Sequence, residues 1–534
     1  MNGSFRKDIL SKPFYWVCIA FISCLSYLFD ITNRTVSVDN LAKPIYLGKE
    51  KALVSGTRWG SQLWHDLLCI TADYTPFHNK FLAVVLLIIA AVLFSRVLYI
   101  FLNQNKYCLA LCTIFSCIYI SYPLIAEIWA YDSASFILSA NASAAACVIL
   151  MLYDKDKLFS RYTILSALLL SVVVSSYEVS AFLYVTAVLC VILLDYILFN
   201  KKNWLQKGFQ YAIPLFFAVL LRFVIAFGLL QLLNLEYVHN GETSILWRPS
   251  NIGSLLVQNL SQTLDKYFAR SLISYPIFVF VTAWLSGSIC AIVISIKKKD
   301  FTIFLLSVFV ILSLFLQSMI QGNVLPYRTT QTIQFFNAFA MTMVLYALTY
   351  VQKHSILTAA FIFFGYLTYR QGAYLNMSLA LNNQRSDNEA AIVYNVGTRL
   401  KKDFDEKPVI FTGETSLGNN IEHQITPDKD SPGWRVYSAI AIRMGWEYED
   451  IELYDTNINS LLNWSSQAFQ SQRMMKEYFS YYGFDIMADT LTLDENEIFI
   501  DQALKSGGDF YPYEIRDLGD VLVVNIGSSI ISAE

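Results

Sequence analysis

Asp39 and Arg58 are an acidic and a basic residue in a polar stretch between two apolar runs. The stretch covers residues 32–79, after the apolar run 13–31 and before the apolar run 80–102. A carboxylate can remove the proton from an attacking hydroxyl, and a guanidinium can stabilise a departing phosphate. Transfer of a sugar from a lipid phosphate to a hydroxyl at a membrane surface needs such a pair.

Further ionisable groups fall in other polar segments that we predict to lie on the same side of a membrane. They are Lys43 in the first segment, Glu127 and Asp132 in the second, Glu178 in a short turn, and Arg328 before a late apolar run. Charged groups at the depth of a bilayer are costly, so their positions indicate function. Because these groups are all predicted to lie on one side of the membrane, we expect them to line one cleft above the helices.

Structural roles also fit several of these residues. The stretch 55–69 contains Arg58 between tryptophans, which is typical of an interfacial anchor or of an amphipathic helix lying on the bilayer. Glu127 and Asp132 could equally cap helices or pair with loop arginines. We expect Glu178 to face the bundle interior, and Arg222, inside an apolar run, requires a partner there.

Eleven apolar runs are close to the twenty residues that a transmembrane helix needs. The chain has 534 residues, of which 55% are hydrophobic and only 15% charged, against about 25% charged in a soluble domain. The runs are 13–31, 80–102, 107–125, 133–152, 159–176, 178–198, 209–235, 272–296, 301–320, 333–351 and 355–372. Residues 1–372 are therefore predicted to form an all-α polytopic membrane domain.

The distribution of lysine and arginine predicts the orientation of these spans. If the N-terminus is cytoplasmic, every inside segment is short and basic, as in residues 199–208 and 297–300. The outside segments are long or carry carboxylates. An odd number of spans places the C-terminus outside, which is the periplasm for a protein of a bacterial inner membrane.

Charge is denser after residue 372, which predicts a separate soluble domain over 373–534. An amphipathic helix over 387–402, with Ala391, Ile392, Val396 and Leu400 on one side, is followed by strand-like runs at 408–413, 497–500 and 520–527. A second helix is predicted near 436–445. The pattern favours a small α/β domain without a Gly-rich phosphate loop. It could serve as a lid, as a platform for the acceptor or as a stabilising cap.

The sequence indicates no metal or disulfide site. All nine cysteines precede residue 291 without a CxxC pair, and the five histidines form no HExxH motif. Paired carboxylates could hold a divalent cation weakly, but the sequence does not indicate one. The net charge of −3 gives no indication of nucleic acid binding.

Several short motifs in order resemble the O-antigen glucosyltransferases that convert bacterial serotype, within the type C superfamily of membrane glycosyltransferases. The pieces are Asp39-Asn40, Ser55-Gly56-Thr57-Arg58, Tyr131-Asp132-Ser133, Ser176-Tyr177-Glu178, Pro326-Tyr327-Arg328, and the run LALNNQRSDNEAAIVYNV. The chain departs from the family where Asn40 replaces a second acid, so a two-acid metal site is not expected. It also has Glu178 where a glutamine is expected.

The resemblance implies a polyprenyl-phosphate sugar donor, such as undecaprenyl-phosphate glucose, and an O-antigen acceptor at the periplasmic face. Asp39 would be the general base in an inverting displacement, and Arg58 and Arg328, with Lys43, would bind the phosphate. Asp132 and Glu127 would orient acceptor hydroxyls or hold Arg58. The remaining positions would support the acceptor: Asn40, Glu178, Tyr131 and Tyr327. A donor synthase and a flippase would be pathway partners, and no cofactor is implied.

Three other interpretations remain open from the sequence. A membrane scaffold without chemistry would leave the clustering of charged residues on one side unexplained. A flippase or transporter for lipid-linked sugars would show internal repeats and polar groups at mid-membrane. The chain shows no repeat, and Arg222 is its main polar group within a span. An O-antigen polymerase would carry a long, basic outer loop between late spans, whereas the basic residues of 236–271 are balanced by acids.

Overall fold

The computed structural model describes most of the chain and divides it into two compact units. The helices up to Met377 make up the first unit, and the chain from Ser378 onward belongs to the second. The structure describes residues 9–33, 57–68, 76–129, 134–154, 160–199, 203–237, 257, 277–321, 327–350, 354–403, 407–412, 472–488, 490–506, 510–511 and 513–526.

The first unit is a bundle of α-helices. Its helices are α1 (Pro13–Thr32), α2 (Trp59–Leu67), α3 (Pro76–Leu102), α4 (Cys108–Ile120), α5 (Ala126–Trp129), α6 (Ala134–Leu152), α7 (Arg161–Ser176), α8 (Val179–Phe199), α9 (Trp204–Leu232), α10 (Ile277–Lys298), α11 (Phe301–Ser313), α12 (Leu316–Gln321), α13 (Gln331–Leu348) and the first part of α14 (His354–Asp403). A 3-10 turn at Tyr327–Thr329 precedes α13.

Five of the described helices are long and apolar enough to cross a membrane. They are Pro13–Thr32, His78–Leu102, Ala134–Leu152, Val179–Phe199 and Trp204–Leu232. Three shorter apolar helices are Cys108–Ile120, Arg161–Ser176 and Phe301–Ser313. The apolar runs of the sequence produce helices because backbone groups in lipid must be satisfied within the segment.

Small and polar side chains hold these helices together. Ser180 of α8 donates to Asn141 Oδ1 of α6 at 2.7 Å, and Gln334 Nε2 of α13 donates to the carbonyl of Tyr119 in α4 at 2.6 Å. Such bonds replace the hydrophobic effect, which does not drive helices together inside lipid. The helix α6 is rich in alanine and serine, which lets neighbouring backbones approach closely.

The second unit contains a three-stranded sheet with helices on both faces. The strands β1 (Val409–Thr412), β2 (Ile515–Asp517) and β3 (Leu522–Asn525) lie in the order β1-β3-β2. Strand β3 pairs in parallel with β1 and antiparallel with β2. Its central position explains why all four of its residues are buried.

The two faces of β3 pack against different helices. Leu522 and Val524 lie in one core with Val396 of α14 and Phe479 of α15 (Gln472–Tyr481). Val523 lies in a second core with α16 (Leu493–Lys505). Because successive side chains of a strand point to opposite faces, β3 contributes residues to both cores.

Two predictions about this unit are wrong. The run 497–500, predicted as a strand, lies inside α16, whose start is fixed by a reciprocal capping box between Thr492 and Glu495. Ala391 is exposed, and Val393 is buried in its place on the inner face of α14. The predicted helix near 436–445 lies outside the described residues.

Candidate active site

The end of the bundle where α7 ends and α8 begins collects three arginines and two glutamates. The chain brings them there from five segments: the entry to α2, the helix α5, the α7–α8 turn, the helix α9 and the 3-10 turn before α13.

Helix α2 positions the first of these arginines against the bundle. Trp59 Nε1 donates to the carbonyl of Arg222 at 3.2 Å, and Ser61 Oγ donates to the carbonyl of Ser176 at 2.8 Å. A Cβ added to Gly60 would lie 2.4 Å from the nearest side-chain oxygen of α7. The helix is therefore docked by its backbone, and Arg58 is fixed immediately before its first residue.

Thr57, just before Arg58, has a strained backbone. Its φ is +62°, which is rare for a β-branched residue. Its buried Oγ1 accepts a hydrogen bond from Arg222 Nη2 at 3.0 Å. Such strain persists only where surrounding contacts enforce it, and it concentrates at functional sites.

Glu178 receives two guanidinium groups. Arg222 Nη2 donates to its Oε1 at 2.7 Å, while Arg58 Nη2 lies 3.8 Å from its Oε2. Burial would raise the pKa of Glu178, but the charges of Arg58 and Arg222 outweigh it and lower the pKa below its ordinary value. Glu178 is therefore a carboxylate at neutral pH, and it supplies the partner that the sequence required for Arg222.

Glu127 and Arg328 form the second ion pair. The Arg328 backbone N–H donates to Glu127 Oε2 at 2.6 Å, and its Nη1 donates to Oε1 at 2.9 Å. This two-point contact joins α5 to the 3-10 turn, although 201 residues separate the two positions. Glu127 therefore holds Arg328 in place.

Tyr177 lies between the two ion pairs. Its hydroxyl donates to the carbonyl of Arg328 at 3.5 Å, and it belongs to the same turn as Glu178. Burial raises the pKa of Tyr177 far above its ordinary value, so the phenol stays protonated and keeps its donor. The two pairs are thus parts of one cluster.

The cluster carries an excess of positive charge within the described residues. Arg58 is its least engaged member: its one carboxylate contact is long, its Nε has no hydrogen-bond partner in the described chain, and its side chain is 29% exposed. A guanidinium with unused donors matches a phosphate or a carboxylate. The arrangement can bind an anion at the end of the bundle.

Half of the ten predicted site residues lie outside the part of the chain that the structure describes. Arg58, Glu127, Glu178 and Arg328 are brought together as described above. Residues outside the described part of the chain are Asp39, Asn40, Lys43, Tyr131 and Asp132. The backbone of Tyr327 lies in the 3-10 turn beside Arg328.

Two features of the site region had no assigned role at the level of sequence. Arg222 was noted only as a charge within a span, and its contacts with Thr57 and Glu178 make it the centre of the cluster. Lys80 of α3 donates to Asp30 Oδ1 of α1 at 2.8 Å, and both side chains are almost fully buried. Asp30, in the last turn of α1, and Lys80 thus form a buried ion pair between two helices.

No cluster of three or more histidine, cysteine or acidic side chains suited to a metal occurs among the described residues. The chemistry of the cluster is that of guanidinium, carboxylate and phenol groups.

A family model covers the whole of this cluster. The model of the family Glucosyl transferase GtrII matches residues 28–345, more than half of the chain. The chain belongs to the GtrII glucosyl transferase family. No match was found among the curated proteins or among the solved structures.

Membership in the GtrII family makes the chain a glycosyltransferase, and its apolar helices suggest a membrane protein. The GtrII match runs from near the end of α1 to the last turn of α13 and includes all five charged residues of the cluster. It ends before α14, so the part of the second unit from Ser378 onward lies outside the GtrII match.

Proposed function

We propose that this protein transfers glucose from a polyprenyl-phosphate carrier to a hydroxyl of an O-antigen repeat unit. The transfer would take place on the periplasmic side of a bacterial inner membrane. The observation that carries the proposal is the position of Arg58, a partly exposed guanidinium with unused donors, in a positively charged cluster at the end of an apolar helix bundle. A lipid phosphate carries a negative charge that suits the positively charged cluster and a hydrocarbon tail that suits the apolar bundle.

The proposed topology has eleven spans over residues 1–372, with the N-terminus in the cytoplasm. Residues 373–534 form a periplasmic domain that contacts or covers the acceptor. The five helices long and apolar enough to cross a membrane and the three shorter apolar helices support part of this topology. The orientation is supported by the charge distribution, because the segments assigned to the cytoplasm are short and basic and those assigned to the periplasm carry carboxylates.

The proposed chemistry is a single inverting displacement at the anomeric carbon. Asp39 removes the proton from the acceptor hydroxyl as the oxygen attacks, and the C1–O bond to the phosphate breaks. Arg58 stabilises the charge on the departing phosphate, with Arg328 and Lys43 as further cations. Because Glu127 holds Arg328 at two points, Arg58 makes the more direct contact.

The remaining predicted site residues have supporting roles in this proposal. Asp132 orients acceptor hydroxyls, and Asn40, Tyr131 and Tyr327 contact the acceptor. Glu178 fixes Arg58 and Arg222, as its contacts require. A donor synthase and a flippase supply the lipid-linked glucose, and the donor's tail lies against the apolar bundle.

The mass of the O-antigen repeat unit tests this proposal. We expect wild-type protein, expressed with a donor synthase and flippase, to add one hexose per modified repeat. Asp39→Asn should add none at equal expression, because the amide cannot accept the proton. Asp66→Asn is the matched control, since Asp66 is exposed on α2 and accepts a hydrogen bond from Gln62, one turn earlier, at 2.9 Å.

An unchanged repeat mass with well-expressed wild type would contradict the transferase. Hexose addition by Asp39→Asn would contradict the role of Asp39 as base while leaving the transferase in place.

A further inference from the structure

A cavity of about 910 Å³ lies in the bundle away from the arginine cluster. It is bounded by the last turns of α8, by α10, α11 and α13, and by the turn after α3. None of the charged residues of the candidate site lines it. Its volume falls within the range of ligand sites in proteins.

The cavity and the arginine cluster lie at opposite ends of α8. Glu178 immediately precedes the first residue of α8, whereas five residues of its last two turns line the cavity: Leu193, Leu194, Ile197, Leu198 and Phe199. At 1.5 Å per residue the separation is about 20 to 30 Å. A head group bound at one end therefore does not reach the other.

The walls of the cavity are apolar over most of its length. Along α13 it extends from Phe336 to Tyr350, which is about 20 Å of helix. One leaflet of a bilayer has a hydrocarbon depth of about 15 Å. The cavity is long enough for an acyl chain of one leaflet.

One end of the cavity is basic. Lys106, Lys297 and Lys298 line it together with Gln104 and Asn105. Neither Lys106 nor Lys297 forms an ion pair in the part of the chain that the structure describes. Lys106 lies 4.9 Å from the centre of the Tyr107 ring, and Lys298 donates to the carbonyl of Ile197 at 2.5 Å.

The carboxylate near this end already has partners. Asp300 accepts a hydrogen bond from the Tyr196 hydroxyl at 2.6 Å and caps the start of α11 through the N–H of Thr302 at 3.0 Å. The ammonium groups of Lys106 and Lys297 therefore keep their positive charge available to an anion.

The cavity is open on the side of α10. Ile289 and Val293 line it and are 58% and 43% exposed, which places them against hydrocarbon if α10 crosses a membrane. A Cβ on Gly287 would lie 3.3 Å from the Cβ of Ala340, so α10 and α13 meet closely there. A chain can enter from the lipid side of α10 without passing through the bundle.

We infer that this cavity binds an anionic phospholipid, with one acyl chain between α8, α10 and α13 and its phosphate against Lys106 and Lys297. Basic pockets between transmembrane helices on the cytoplasmic side bind phosphate head groups. On the predicted orientation, the turn after α3 and the end of α10 are cytoplasmic. The inference does not rest on the proposed transfer reaction, because it concerns the opposite end of the bundle.

Lipid binding to the purified full chain tests the inference. Native mass spectrometry and melting temperature would be followed as phosphatidylglycerol, phosphatidylcholine with the same acyl chains, or undecaprenyl phosphate is added. We expect phosphatidylglycerol to bind at least tenfold more tightly than phosphatidylcholine. Lys106→Gln with Lys297→Gln should reduce that preference roughly ten- to thirtyfold.

Matched variants separate recognition from general damage. Lys401→Gln with Lys402→Gln removes two exposed lysines at the end of α14 and should leave lipid binding unchanged. Ala347→Trp, which fills the cavity, should abolish phosphatidylglycerol binding, whereas Leu348→Trp, one residue outside the lining, should retain it.

Three results would overturn the inference. Equal binding of phosphatidylcholine would remove the role of the lysines, and binding that survives Ala347→Trp would place the lipid elsewhere. Binding of undecaprenyl phosphate in preference to phosphatidylglycerol, lost with Lys106→Gln and Lys297→Gln, would assign the cavity to the carrier lipid instead. The transferase could still be active in each case, since none of these readouts measures sugar transfer.

Discussion

At the scale of single residues, the candidate site depends on how two carboxylates share three guanidinium groups. Glu178 is bound closely by Arg222 and only distantly by Arg58, so Arg58 retains donors for another anion. Burying a guanidinium without a full set of partners costs free energy. That cost is offset if an anionic substrate completes the site.

Replacing Glu178 tests this charge balance through the pH dependence of stability. The pKa of Glu178 is lower in the folded protein than its ordinary value. It therefore stabilises the fold at neutral pH, and that contribution is lost as the pH falls below about 4.5 towards the folded pKa. Glu178→Gln should lower the melting temperature at pH 7 and weaken its fall between pH 5 and 3.

Glu497→Gln is a matched control for this experiment, because Glu497 is exposed on α16 in the second unit. If Glu178→Gln and the wild type show the same melting temperature at pH 7, the carboxylate does not hold the arginines as described.

The sequence could identify the members of the cluster better than their pairing. Ionisable groups beside apolar runs predicted Arg58, Glu127, Glu178 and Arg328 as candidates, because charge is costly near lipid. Their partners come from distant parts of the chain, as with Glu127 and Arg328, and no local pattern encodes such a contact. Arg222 could have been included, since a charge inside a span needs a partner.

At the scale of elements, the docking of α2 on α7 and α9 decides where Arg58 lies. Ser61, Trp59 and the close approach at Gly60 fix the helix at its first turn. Arg58 precedes that turn, so a small displacement of α2 moves the guanidinium relative to Glu178. Positioning of this kind is sensitive to changes far smaller than a side chain.

Adding one methyl group to Gly60 should therefore reduce activity. In Gly60→Ala the Cβ would lie 2.4 to 2.6 Å from Ser175 Oγ, the Val172 carbonyl and Ser176 Oγ, so α2 must shift. We expect a stability loss of about 1 to 3 kcal/mol and a fall in transfer rate at temperatures where the protein stays folded. Melting temperature and initial rate measure the two effects.

Gly208→Ala in α9 is the matched control, because no atom lies within 4 Å of the added Cβ. It should leave activity unchanged and stabilise the helix by up to about 1 kcal/mol. Equal behaviour of the two variants would mean that the close approach at Gly60 does not position Arg58.

Apolar runs of span length predicted helices reliably, whereas short apolar runs in the second unit did not. Residues 409–412 and 522–525 form strands as expected, but residues 497–500 are helical. A run as short as Ile498, Phe499 and Ile500 fits either structure, and the capping box at Thr492 and Glu495 decides in favour of a helix. A search for caps would have corrected that prediction.

At the scale of the whole molecule, the family match and the division into units do not coincide. The GtrII match ends at residue 345, whereas the main segment of the second unit, with its own hydrophobic cores, runs from Ser378 onward. The charged cluster thus belongs to the part of the chain that defines the family.

The distribution of charged residues predicts that the C-terminal part of the chain lies on the periplasmic side of the membrane. An epitope tag at the C-terminus should be reached by antibody once the outer membrane is permeabilised. A tag inserted between Lys201 and Lys202 should require disruption of the inner membrane as well. Both tags on one side would contradict an odd number of spans between them and the proposed orientation.

Transfer of labelled glucose by the purified protein tests the central claim most directly. Initial rates would be measured with undecaprenyl-phosphate glucose or UDP-glucose and an O-antigen acceptor, for wild type, Arg58→Ala, Arg58→Lys and the exposed control Arg161→Ala. We predict product only from the lipid donor, with kcat/KM reduced about 10- to 100-fold in Arg58→Ala and partly restored in Arg58→Lys. Transfer from UDP-glucose, or wild-type kcat/KM in Arg58→Ala, would contradict a lipid-phosphate donor bound by Arg58.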